Sequence, residues 1–138
     1  MLYRCTPMAT VGVKKWLITN SSQGLVHILL IALTVAPQIL MPNRRIGQQT
    51  GRETILECAI TAFPHAVNYW EKDGRRITSS MKHRIEAYDE GDHTLTLSLR
   101  IHITGDGDFG EYRCIASNSL GHDEGSMVLY GTTTDSPA

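Results

Sequence analysis

The sequence predicts an all-β fold closed as a sandwich of two packed antiparallel sheets. One observation is an unbroken apolar–polar alternation over residues 94–103. A second is that about seven short segments of this kind recur at regular spacing, with turn residues between them. A third is that two cysteines and a tryptophan stand at inward positions of three different segments.

The elements follow in order. Pro37 to Met41 reads as an edge strand, where proline is tolerated because no ladder N–H is required. Glu53 to Ala62 alternates, with Leu56, Cys58 and Ile60 on one face. Val67 to Trp70 is a third strand, ended by the turn Lys72-Asp-Gly-Arg75. Lys82 to Tyr88 is a fourth, ended by Asp89-Glu-Gly-Asp92. In the next, Leu95, Leu97, Leu99, Ile101 and Ile103 share a face opposite Thr94, Thr96, Ser98, Arg100 and His102. A helix would scatter these leucines around its circumference. Tyr112 to Ser117 places Tyr112, Cys114 and Ala116 inward, and Asn118-Ser-Leu-Gly121 is a turn. Gly125 to Tyr130 closes the set with Met127 and Leu129 inward, and residues 132–138 read as a flexible tail.

Trp70 follows Cys58 by 12 residues, and Asp108-Phe-Gly-Glu-Tyr-Arg-Cys114 forms a D-x-G-x-Y-x-C string. In such a sandwich the two sulfurs bridge the sheets and the indole packs on the bridge. Tyr112 returns its hydroxyl to the backbone near the turn. A metal or redox pair is the other reading of Cys58 and Cys114, but no third ligand lies near them in sequence.

Ile55-Leu-Glu-Cys58, Asn68-Tyr-Trp70, the run from Asp108 to Gly121 and Glu124-Gly-Ser-Met-Val-Leu-Tyr130 carry a family resemblance. Residues 37–131 resemble an immunoglobulin-like domain of the I-set. Within that set they are similar to the third, membrane-proximal domain of the lachesin and Dpr-interacting group, invertebrate relatives of the IgLON neural adhesion molecules. The resemblance implies a core built on Trp70, Tyr112 and Leu97. It also implies an ion pair between Asp108 and a base entering the fourth strand, Arg84, or Lys82 in a shifted register. The family has a leucine four residues before the Asp of the string, where this chain has Thr104. A looser turn is expected there, with Ile103 swinging in as the substitute.

Hydrophobic residues make up 41% and charged residues 20%, a globular composition. Residues 1–36 carry Arg4, Lys14 and Lys15 and no acid, whereas residues 37–138 hold 10 basic and 14 acidic residues. The acidic domain argues against a nucleic-acid partner, because phosphate neutralisation needs a basic face. The apolar run Leu25 to Val35 is shorter than a membrane-crossing helix requires. With Lys14 and Lys15 upstream it fits a secretory signal peptide that would also remove the odd Cys5. An uncleaved anchor and a start segment foreign to the natural protein are the other readings of residues 1–36. No apolar tail follows residue 131, so the membrane is expected to be reached only through a signal or anchor, not through the domain.

No nucleophile elbow or phosphate loop is present, and the histidines (His27, His65, His83, His93, His102 and His122) lack metal-ligand spacing. Asp106 and Asp108 supply few oxygens for a hard cation. No enzyme activity, cofactor or metal is therefore expected. The sequon at Asn20 is expected to be unused. Val67, Tyr69, Ile115, Val128 and Tyr130 fall outward on three strands that are adjacent in this fold, a candidate partner face or scattered surface apolars. The resemblance implies a cell-surface or secreted adhesion domain, neuronal in context, that binds other immunoglobulin-superfamily proteins like or unlike itself. An intracellular module of a muscle or cytoskeletal scaffold and a soluble ligand- or carbohydrate-binding domain are the alternatives.

Overall fold

A computed structural model describes residues 11–20, 25–65 and 67–133. The strands are β1 (Val11–Asn20), β2 (Leu25–Leu40), β3 (Arg45–Gln48), β4 (Glu53–Phe63) and β5 (Val67–Lys72). They continue with β6 (Arg75–Arg76), β7 (His83–Gly91), β8 (Thr94–His102), β9 (Gly110–Asn118) and β10 (Gly121–Gly131). One sheet has the order β1-β2-β4-β8-β7, the other β3-β10-β9-β5-β6.

Alternation decides which side chains meet between the sheets. Leu56, Cys58 and Ile60 of β4 are fully buried, as are Leu99 and Ile101 of β8. The facing layer is Trp70, Tyr112, Cys114, Ala116, Met127 and Leu129. In register, Cys58 lies opposite Leu97 and Trp70 opposite Cys114. That places Cys58 and Cys114 face to face across the core, where they form a disulfide with Cα atoms 6.5 Å apart. The sandwich and its bridge are those expected.

Several expectations change. The apolar run from Leu25 belongs to β2, which pairs with β1 along residues 25–35 and with β4 through Gln38, Ile39 and Leu40. Pro37 lies past the last β1 rung, which leaves that stretch of β2 without a β1 partner. The fourth strand runs on to Gly91, so the turn sits at Asp92 and His93, both at positive φ as a tight hairpin requires. Ser98, expected on the wet face, is buried, since it lies on the central strand between Glu57 and Glu86. The two-residue β6 and the short β3, parallel to β10, complete the second sheet. Among the described residues no helix is long and apolar enough to cross a membrane.

Candidate interaction surface

Asp108 governs the lower rim of the sandwich. It sits in a short 3-10 turn, Asp106–Asp108, and is almost fully buried. Its Oδ2 accepts from the Thr104 N–H at 2.7 Å, the Thr104 hydroxyl at 3.1 Å and the Gly105 N–H at 3.3 Å. Its Oδ1 pairs with Lys82. This corrects the expectation for Arg84. Arg84 lies opposite Arg100 on the outward face of β7 and pairs with Glu86 at 2.8 Å. Lys82 stands one residue before the strand, where its chain reaches under the rim and also donates to the Thr104 hydroxyl at 2.9 Å. Burial pushes the Asp108 carboxyl up, but Lys82 and the donors on Thr104 and Gly105 outweigh it and hold it below the usual carboxylate range.

Thr104 therefore ties the turn instead of loosening it. Ile103 is fully buried, on the face that the alternation of residues 94–103 assigns it. The Tyr112 hydroxyl donates to the Asp108 carbonyl at 2.6 Å, which closes the corner, and burial raises its pKa well above the ordinary phenol value. With its carboxylate so occupied, Asp108 is a structural anchor. Among the described residues no group of His, Cys, Asp and Glu is placed to hold a metal.

The outward face of the second sheet divides the five apolar residues expected there. Ile115 lies in register between Tyr69 and Glu124 and is only 9% exposed. Beside it Arg113 reaches Glu71 at 2.5 Å and Glu124 at 3.7 Å. The Arg76 guanidinium lies 4.9 Å from the Tyr69 ring centroid. Val128 and Tyr130 stand apart beside β3, where Arg45 covers the Tyr130 ring at 5.1 Å. Val67, Val128 and Tyr130 are the exposed members. The face is thus a salt-bridged surface with partly covered tyrosines and not one apolar patch.

Sequence reasoning missed Arg76, Glu71, Arg113 and Glu124. Their signal was available in part, because Glu71 and Arg113 fall on the same outward phase as Tyr69 and Ile115. What the sequence lacks is the rung that brings Glu71 and Arg113 together, 42 residues apart.

The model of the immunoglobulin I-set domain matches residues 37–130. The chain is 31% identical to the Drosophila melanogaster protein amalgam over 112 residues, which covers 81% of this chain and 34% of amalgam. It is 28% identical to Drosophila melanogaster lachesin over 102 residues, covering 74% of this chain and 28% of lachesin. The chain thus spans about a third or less of these relatives. Among solved structures it is similar to the complex of Dpr2 Ig1–Ig2 with DIP-Theta Ig1–Ig3, with TM-score 0.68 and 28% identity, covering 88% of this chain and 41% of that one. The core bridge, the packed tryptophan, the tyrosine corner and the matched span agree: the chain belongs to the immunoglobulin I-set family.

Proposed function

We propose that this chain supplies a recognition domain of a cell-surface or secreted neuronal adhesion protein, with partners among other immunoglobulin-superfamily proteins. The observation that carries this is the outward face of the β3-β10-β9-β5-β6 sheet. There Arg76 lies over the Tyr69 ring, and Glu71 and Glu124 hold Arg113. Tyrosine and arginine held rigidly on a sheet are the side chains that dominate protein recognition. The buried Cys58–Cys114 bridge supports an oxidising compartment, and the resemblance to amalgam and lachesin supports adhesion. In this reading residues 1–36 serve as the signal or anchor, and the domain itself performs no chemistry.

Two measurements test it. The chain expressed through an insect secretory pathway should be recovered from the medium without an alkylatable thiol at Cys58 or Cys114. Three reduced thiols in a cytosolic full-length species would favour the intracellular scaffold instead. The secreted protein should also bind at least one member of a panel of immunoglobulin-superfamily ectodomains, itself included. Tyr69→Lys should weaken that binding by about thirtyfold while leaving the fold intact. Binding indifferent to Tyr69→Lys would remove this face from the proposal.

A further inference from the structure

The segment that leads into β7 separates two hollows of about 300 and 280 Å³, which share Ser80 and His83. Lys72, Arg75 and Arg76 line the first, and Lys82, Arg84 and Arg100 line the second. These are six of the 10 basic residues of the acidic domain. The acids in the two linings are Asp108 and Glu53. Asp108 is already held by Lys82 and by the N–H groups of Thr104 and Gly105, and Glu53 accepts from Arg100 at 3.4 Å. Asp73 and Glu86 lie beside the hollows and pair with Lys72 and Arg84. Arg75 and Arg76 are exposed and have no ion-pair partner among the described residues.

We propose that these adjoining hollows form one groove that binds a linear sulfated polysaccharide. Successive sulfate groups are taken by Arg75 and Arg76 in the first hollow and by Arg84 and Arg100 in the second. Two basic hollows side by side suit a chain with repeated charges better than a single compact anion. A guanidinium fork matches the oxygens of a sulfate. The acidic remainder of the domain works against nucleic acid, which needs a broad basic surface. Among the described residues Met81 is the one large apolar side chain exposed between the hollows, too little for insertion into a lipid surface. The availability of such a polysaccharide rests on the extracellular reading above, but its binding does not.

The test uses the purified full chain and heparin as the probe, so it does not depend on where the protein resides in the cell. The chain should bind immobilised heparin and elute with salt. Arg75→Glu and Arg84→Glu should each weaken binding by about tenfold, and the double variant by more. Circular dichroism and thermal melting should show both variants folded, since the two side chains are exposed. Arg52→Glu, on the β3–β4 turn outside both hollows, should leave binding unchanged. Equal weakening by Arg52→Glu would mean attraction by charge alone and would overturn the groove. Undiminished binding of N- and O-desulfated heparin would overturn the sulfate assignment. Capture by phosphatidylserine vesicles but not by heparin would transfer the site to a lipid surface, and failure of the wild-type chain to bind either would end the proposal.

Discussion

At the scale of single residues the rim around Asp108 holds the most concentrated polar chemistry of the core. Tyr112→Phe removes the hydroxyl that satisfies the buried Asp108 carbonyl. An unpaired buried acceptor costs about 1–3 kcal/mol, so the urea midpoint should fall accordingly with an unchanged slope. Acid should act at two places. Burial holds the His83 imidazole below its ordinary value of 6.5, with Lys82 adding to the effect and Asp108 opposing it. The unfolded chain then binds the proton more readily, so stability falls as pH drops through 6.5 toward the lower folded value. The carboxyl of Asp108 titrates below 3.8 in the fold, so its contribution is present above 3.8 and is lost as pH falls through the folded value. Urea unfolding followed at pH 7, at about pH 5.5 and at about pH 3 should show both losses, and His83→Gln should remove the first alone. The resemblance implied Arg84 for Asp108, or Lys82 in a shifted register. Lys82 takes the place because side-chain phase on β7 turns Arg84 outward, toward Glu86.

At the scale of elements, long alternations were legible and short ones were not. β4, β8, β9 and β10 bury most of the residues their period of two assigns; the departures are Ser98 and Ile115, buried on outward phases, and Leu95, half-buried on an inward one. β3 has four residues and β6 has two, too few for a period to stand out, and each exists through its partner, β10 or β5. β7 overran its expected end because Asp89 and Gly91 look like turn residues yet pair with Leu95 and Thr94 of β8 before the chain reverses, with Glu90 at the register shift between them. Gly125 marks the close approach of β10 to the end of β2. A Cβ there would lie 2.7 Å from Met41 Cγ and 2.8 Å from Ile39 Cγ2. Gly125→Ala should therefore overpack this contact and cost about 1–3 kcal/mol, read as a lower melting temperature. If the melting temperature does not move, Met41 has room to give way.

Across the whole molecule the disulfide joins the two sheets over a separation of 56 residues. By loop entropy it contributes about 4 kcal/mol, so the Cys58→Ala, Cys114→Ala double variant should lose most of the margin of a domain this size. Chemical denaturation of that variant beside the wild type measures the loss. The charge of the molecule is also divided. A basic groove flanks the start of β7, while Glu86, Asp89, Glu90 and Asp92 follow along the strand and its turn. The sequence by itself determined the sandwich, the bridge and the tyrosine corner, because alternation and the phase of Cys58, Trp70, Tyr112 and Cys114 are local properties of each strand. Only the tertiary structure decided which cation answers Asp108, that Ile115 is covered, and that bases from β5, β6, β7 and β8 line two adjoining hollows. The physical reason is that these outcomes depend on register between segments far apart in sequence, and a one-residue shift reverses the face every side chain presents.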